Sequence, residues 1–315
     1  MKYLTPIVKI NSQLPCNIYI KRDDLLPFSF GGNKVRIAEE FFSDMKKKNC
    51  DCIIGYGNSR SNLCRVIANM SKYYGVKCCI ISPKDDDGQR IETSNSKIVR
   101  LCDAEIFICS KDNVSATVRD TVSRYIDAGY SPYYIYGNEF GTGNESTPVK
   151  AYYKCYNEIS EQSKDLGLEF DYIFCATGTG MTQAGLLAGK SVAKGKEKIV
   201  GISVARPTDK EIRIICNYLE AFSKEQNLKI NVSQEDICVI DKYVGKGYGK
   251  KDNKIDRIIF DMLTSNGIPF DPTYTGKAFL GMTDFIEENQ IKDKNILFIH
   301  TGGTPLFFDN LSNIG

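Results

Sequence analysis

Two glycine-bracketed segments bring together the residue types that could do chemistry in this chain. The first is Gly31-Gly32-Asn33-Lys34, in which paired glycines allow a backbone turn closed to other residues and so can aim the lysine that follows. A lysine facing a pocket is desolvated, which favours its neutral amine, and that amine can condense with an aldehyde. The second is Thr177-Gly178-Thr179-Gly180-Met181-Thr182, directly after the apolar run Tyr172-Ile173-Phe174-Cys175-Ala176. There a strand turns into a helix. Backbone N–H groups at a helix start, with the helix dipole behind them, bind phosphate dianions. Thr179 and Thr182 add hydroxyls.

Neither segment carries a cofactor assignment alone. An arbitrary lysine solvates a surface, and glycines often serve only the geometry of a turn. Together they ask for an aldehyde and a phosphate on one molecule, which describes pyridoxal phosphate. The second loop is not an ATP-binding G-x-x-x-x-G-K-[ST], since no lysine follows its glycines. It is not a dinucleotide fingerprint either, because the run Gly201-Ile202-Ser203-Val204-Ala205-Arg206 ends in a base where an acid is required. A third turn, Gly57-Asn58-Ser59-Arg60-Ser61-Asn62, again precedes an amphipathic stretch, and its N–H groups suit a carboxylate. Ser61 can equally cap that helix. Two anion-binding turns fit an amino acid joined to a phosphorylated cofactor.

Composition removes the competing chemistries. The 315 residues carry 41 basic and 39 acidic side chains, so no field selects nucleic acid or an anionic membrane. No run approaches the roughly 18 apolar residues of a membrane span, and the first residues lack a signal-peptide pattern. One histidine, His300, excludes multi-histidine zinc sites, and no metal site is expected. The 12 cysteines are scattered without a C-x-x-C, many in apolar strand-like runs. They read as buried thiols of a cytoplasmic protein.

The elements that must position these turns alternate in short β-rich and helical runs, the pattern of an α/β protein with mostly parallel sheets. Strands are predicted at 18–21, 52–56, 77–81, 105–109, 133–136, 172–176, 199–204, 237–240 and 296–299. Helices are predicted at 35–47, 62–74, 88–101, 113–128, 149–163, 182–193, 209–225, 255–265 and 278–288. A small domain is expected over 48–160, and a large cofactor-binding domain over 1–47 plus 161–315.

Six segments, in order along nearly the whole chain, are similar to signatures of one family. They are Lys21-Arg22-Asp23-Asp24, Gly31-Gly32-Asn33-Lys34-Val35-Arg36, Asn58-Ser59-Arg60-Ser61-Asn62, Thr179-Gly180-Met181-Thr182-Gln183-Ala184-Gly185, Asp271-Pro272-Thr273-Tyr274-Thr275-Gly276-Lys277 and His300-Thr301-Gly302-Gly303. The chain resembles the D-cysteine desulfhydrase / 1-aminocyclopropane-1-carboxylate deaminase family, pyridoxal-phosphate enzymes of the tryptophan-synthase-β type. The resemblance implies a two-domain fold-type II architecture with open, mostly parallel twisted sheets flanked by helices. It implies that Lys34 is the Schiff-base lysine, and that Gly178, Thr179, Gly180, Met181 and Thr182 hold the phosphate. Ser61 and Asn62 would lie by the substrate carboxylate and the cofactor O3′ edge, with Ser61 moving a proton. Tyr248 and Tyr274 would be the active-site tyrosines.

Within the family, the deaminase type carries a glutamate at the position of Thr275 and a leucine at that of Thr301. The desulfhydrase type carries hydroxyls at both, as this chain does. A carboxylate there keeps the pyridine ring protonated for ring opening, whereas a threonine leaves it nearer neutral. The resemblance therefore implies α,β-elimination from D-cysteine or a related small D-amino acid, in a homodimer. The alternatives are a related deaminase, β-replacement enzyme or racemase, or a non-catalytic ligand-binding homologue. Two loops depart from the usual pattern, Tyr136 to Asn144 and Arg60-Ser61-Asn62-Leu63, and both are expected to face substrate.

Overall fold

The computed structural model describes residues 3–84, 91–244 and 253–313. The chain forms two compact units, one from Met1–Leu26, Phe30–Asn33 and Pro148–Gly315, the other from Pro27–Ser29 and Lys34–Thr147.

The first unit is built on six strands: β1 (Ile7–Lys9), β2 (Asn17–Lys21), β7 (Tyr172–Thr177), β8 (Lys198–Ser203), β9 (Cys238–Ile240) and β10 (Asn295–Ile299). Their order is β1-β2-β10-β7-β8-β9, parallel throughout except for the antiparallel β1 edge. Apart from their first residues, β7, β8 and β10 are buried along their length, as parallel strands covered on both faces must be. Helices α5 (Ser146–Asp165), α6 (Met181–Ala193), α7 (Thr208–Gln226), α8 (Asn253–Asn266), α9 (Thr275–Glu288) and α10 (Thr304–Asp309) complete it. α6 lies against α5 through Gly185 and Gly189. A Cβ on either would sit 2.5 Å from the Cβ of Tyr152 or Tyr156.

The second unit has the parallel sheet β5-β4-β3-β6, from β3 (Cys52–Tyr56), β4 (Lys77–Pro83), β5 (Glu105–Cys109) and β6 (Pro132–Tyr134). With it go α1 (Asn33–Lys47), α2 (Asn62–Tyr74), α3 (Ser94–Leu101) and α4 (Val114–Asp127). Gly55 in β3 leaves room for Ile80 on β4, whose Cδ1 would be 2.7 Å from an added Cβ.

The unit boundaries differ from the expected domain boundaries at both ends. Residues 34–47 group with the four-stranded unit because Asp44 accepts a 2.8 Å hydrogen bond from the Tyr133 hydroxyl and Phe41 packs on the same ring. Residues 148–160 group with the six-stranded unit through a buried polar network. Tyr152 donates to Asp23 at 2.6 Å, Thr5 donates its hydroxyl to Asp23 at 2.8 Å, and Lys21 reaches Glu158 at 2.5 Å. Lys21 also donates to Thr5 O and Gln162 Oε1, both at 2.6 Å. Two short elements were not foreseen, β1 and α10. The third helix begins at Ser94, capped by Thr93 and Ser96, where the periodicity placed its start at 88, outside the described residues.

The Lys21–Glu158 pair is fully desolvated, with Lys21 at 0% and Glu158 at 5% exposure. Removing one partner strands a buried charge, which typically costs about 3–5 kcal/mol. Lys21→Met should therefore lower the unfolding free energy in urea by about that much, and Lys21→Met with Glu158→Leu should recover most of the loss. Equal losses in both variants would show that the charge pair is not what the network depends on.

Candidate functional site

The turn that delivers Lys34 is left-handed over five successive residues. Phe28, Ser29, Phe30, Gly31 and Gly32 have φ of 68°, 52°, 67°, 64° and 103°. Each non-glycine residue there costs roughly 1–2 kcal/mol, so its surroundings must impose it. Gly31 cannot carry a side chain, since a Cβ would sit 2.2 Å from Asp24 O. Gly32 donates its N–H to Asp23 O at 2.8 Å and lies against Thr301 O and Gly302. Next, Asn33 donates its backbone N–H to Thr301 O at 3.1 Å and its side-chain amide to Thr182 Oγ1 at 3.0 Å. One residue thus ties the C-terminal Thr301 loop to the start of α6. Lys34, partly buried, is the next residue in the chain.

The start of α6 has the geometry of an anion cradle. Gly180 is its N-cap at φ 77°, with no side-chain cap. A Cβ on Gly180 would press on Ile215 and Ile214 of α7, at 3.1 and 3.2 Å. One on Gly178 would meet Val204 at 3.3 Å. Met181 and Thr182 are buried and open the helix. The glycine pattern fits a phosphate group, which needs close approach to backbone. Behind the turn, the Thr177 hydroxyl donates to the buried Glu211 at 2.6 Å, and Arg206 donates to Gly178 O. The importance of Arg206 and Glu211 is not legible in sequence, because both come from the following strand–helix unit.

A second loop cluster of this unit holds Tyr274, Thr275 and Thr301. Asp271, at 1% exposure, accepts N–H bonds from Thr273 and Tyr274 at 2.8 Å and from Thr275 at 3.1 Å, and also accepts the Thr275 hydroxyl at 2.9 Å. That hydroxyl in turn accepts the Asp271 N–H at 2.8 Å. The proton of Thr275 is therefore spent on Asp271. Gly303 closes over the carboxylate, since a Cβ would fall 2.2 Å from Asp271 Oδ2. His300 is fully buried; its Nδ1 accepts the Gly302 N–H at 3.2 Å, and its Nε2–H donates to Pro269 O at 3.0 Å. The ring is thus neutral, and burial lowers its pKa. The sole histidine fastens the Thr301 loop. Tyr248 lies outside the described residues.

In the four-stranded unit, Ser61 is the N-cap of α2, its hydroxyl accepting the Cys64 N–H at 3.2 Å. The preceding loop is held from α3: Thr93 donates to Ser59 O at 2.6 Å, and Asn95 to Arg60 O at 2.8 Å and Asn62 Oδ1 at 2.9 Å. The 137–144 segment closes as a small hairpin, bridged between Gly137 and Gly143, with Asn138 Oδ1 accepting the N–H groups of Phe140 and Thr142. Its tip, Phe140, is 78% exposed. The 12 cysteines form no disulfide, and burial pushes Cys52, Cys64 and Cys175 up to about 12. Among the described residues, no group of three or more His, Cys, Asp or Glu could hold a metal, and no helix is long and apolar enough to cross a membrane.

Comparison with known proteins agrees with this geometry. Residues 2–302 match the family described as pyridoxal-phosphate dependent enzyme. A protein of Pyrococcus abyssi (strain GE5 / Orsay), provisionally named a 1-aminocyclopropane-1-carboxylate deaminase, is 31% identical over 95% of this chain and 88% of its own. The crystal structure of an ACC deaminase homologue superposes with a TM-score of 0.84 at 27% identity, covering 99% of this chain and 93% of that one. A cysteine synthase from Entamoeba histolytica shares the fold at 16% identity, with a TM-score of 0.67 over 99% of this chain and 88% of its own.

Burial raises Asp271 from 3.8 to about 6, outweighing its four hydrogen bonds, which act in the opposite direction. The folded state then holds that proton more tightly than the unfolded chain does. Its contribution is full below about 4 and is lost as pH rises to about 6. The stability of wild type relative to Asp271→Asn should fall by on the order of 2–3 kcal/mol across that window, read by urea unfolding at successive pH values. A constant difference between the two proteins would contradict the assignment.

Proposed function

This chain belongs to the pyridoxal-phosphate dependent enzyme family, and from that premise we propose that it is a lyase acting on D-cysteine or a related small D-amino acid. The fold is of type II, and the cofactor is pyridoxal 5′-phosphate. When bound, the cofactor supplies an aldehyde for amines and a ring that withdraws electrons from the substrate α-carbon. For D-cysteine, loss of the α-proton and of the Cβ thiol releases sulfide and an aminoacrylate. Water converts the latter to pyruvate and ammonia.

The single observation that carries the reading is the bond from Asn33 to Thr182, which ties the residue before Lys34 to the glycine-cradled start of α6. Lys34 is the amine that holds the cofactor aldehyde and takes the α-proton at its Nζ. Gly178 to Thr182 hold the phosphate. Ser61, its oxygen already accepting the Cys64 N–H, donates its proton toward the substrate or returns it to the reacting carbon. Asn62 would serve the cofactor O3′ edge, and the turn that opens α2 would take the substrate carboxylate. By the family resemblance, Tyr274 and Tyr248 are the active-site tyrosines of this reading. With threonines at 275 and 301, the pyridine nitrogen would lack the carboxylate partner of the deaminase type, which supports elimination over ring opening.

One observation favours a second reading, a ring-opening deaminase. The Asp271 carboxylate stands directly behind the Thr275 hydroxyl, at 2.9 Å, so negative charge is close to the position where the deaminase type places its glutamate. Similarity to the Pyrococcus abyssi protein points the same way.

Substrate tests separate the two. Keto-acid release from a panel of D- and L-amino acids should be fastest for D-cysteine or β-chloro-D-alanine, with 1-aminocyclopropane-1-carboxylate almost untouched. Thr275→Glu with Thr301→Leu should lower elimination and introduce some ring opening. Efficient ring opening by the unmodified enzyme would establish the second reading instead. Lys34→Ala should keep the cofactor through its phosphate yet lose at least about 1,000-fold in turnover, as expected when a nucleophile and base are removed together. Near-normal turnover would rule out Lys34.

A further inference from the structure

In sequence, Arg206 is only the base that ends the run from Gly201, and no family signature includes it. The structure places it directly behind the phosphate turn. Its backbone is locked to Ser203: the Arg206 N–H donates to Ser203 Oγ at 3.2 Å, and the Ser203 hydroxyl donates to Arg206 O at 2.6 Å. From that anchor, guanidinium Nη1 donates to Gly178 O and to Glu211 Oε2, the latter at 3.4 Å. Glu211 has 0% exposure in the first turn of α7, and its other oxygen takes the Thr177 hydroxyl at 2.6 Å. A buried carboxylate therefore grips the residue before Gly178 directly and the carbonyl of Gly178 through Arg206.

The consequence follows from peptide geometry. No peptide bond of the described chain is cis. In a planar trans peptide the C=O and the next N–H point in opposite directions. Fixing Gly178 O on the side of Arg206 turns the Thr179 N–H away from it. A glycine carbonyl left ungripped could rotate and place its oxygen where the phosphate must lie, because glycine has no side chain to hold its peptide plane. Gly180, left-handed and backed by Ile214 and Ile215, then leads into the first turn of α6.

We propose that Arg206, held by Glu211, is a positioning residue that fixes the Gly178–Thr179 peptide with its N–H presented to the cofactor phosphate, an inference that rests on residues 178–182 being the phosphate site. The phosphate-specific part of affinity should depend on Arg206. The part contributed by the ring and aldehyde should not.

The test compares pyridoxal phosphate with pyridoxal, which lacks the phosphate, by equilibrium dialysis of the full-length apoenzyme. Arg206→Met should weaken pyridoxal phosphate by about tenfold, the loss of one N–H bond to a charged group, and leave pyridoxal unchanged. Arg206→Lys, which keeps N–H donors for Gly178 O and Glu211, should restore most of the affinity. If Arg206→Met does not fold because Glu211 is left uncompensated, Arg206→Met with Glu211→Gln removes that charge and is expected to show the same selective loss. Gly180→Asp serves as the control for the site itself and should lower the same affinity ratio. A lowered ratio for Gly180→Asp with a wild-type ratio for the arginine variants would overturn the positioning role and leave the phosphate site standing. Wild-type ratios in all variants would overturn both. Equal weakening of the two ligands would reduce Arg206 to a general structural role and so overturn the proposal.

Discussion

A backbone turn can hold an anion only where its N–H groups converge, and that arrangement leaves carbonyls that must find partners elsewhere. The six-stranded unit meets this constraint from behind. Gly178 O is taken by Arg206, Gly180 O by the Ala184 N–H at 2.8 Å, and the Thr177 hydroxyl by Glu211. The four-stranded unit meets it in the same way with different residues. Ser59 O accepts from Thr93 and Arg60 O from Asn95, while Asn58 O takes the Ser61 N–H at 3.1 Å. In both units a side chain from the following strand–helix unit grips the back of the turn. At the start of α2 the Ser61 hydroxyl also caps the Cys64 N–H.

The left-handed turn before Lys34 carries strain that the rest of the first unit must offset. Its glycines touch Asp24 and Thr301, and its hydrogen bonds end on Asp23 and Thr301. Asp23 is itself fixed by Thr5 and Tyr152, and Lys21, two residues earlier, by Glu158 and Gln162. The Thr301 loop is fixed by His300 and by Gly303 against Asp271. Buried polar networks of this kind are costly unless every member is satisfied, and satisfied they hold a backbone in one arrangement. The single histidine and the Lys21-Arg22-Asp23-Asp24 run serve this anchoring.

Sequence periodicity reveals the strands well because parallel strands covered on both faces read as unbroken apolar runs. Tyr172 to Ala176 and Ile296 to Ile299 are examples. β1, three residues flanked by Pro6 and Ile10, has too few positions to show a period, and six-residue α10 is as brief. The unit boundaries escape notice because α1 and α5 are chosen by long-range contacts such as Tyr133 with Asp44 and Tyr152 with Asp23. At the site, glycines mark the turns plainly, since Gly31, Gly32 and Gly180 are required by conformation. The residues that hold those turns are not marked. Arg206, Glu211, Thr93 and Asn95 lie one strand–helix unit further along, and nothing local distinguishes them from surface or capping residues. Which way the Thr275 hydroxyl points is likewise decided by Asp271.

These features converge on one chemical claim, that a lysine delivered by a strained glycine turn holds an aldehyde whose phosphate rests on the start of α6. The most direct measurement is reduction of the purified holoenzyme with borohydride, followed by proteolysis and peptide mapping. The account predicts that the yellow colour bleaches and that the pyridoxyl group is found on Lys34. A pyridoxyl group on any other lysine, or a holoenzyme that borohydride leaves unmodified, would contradict it.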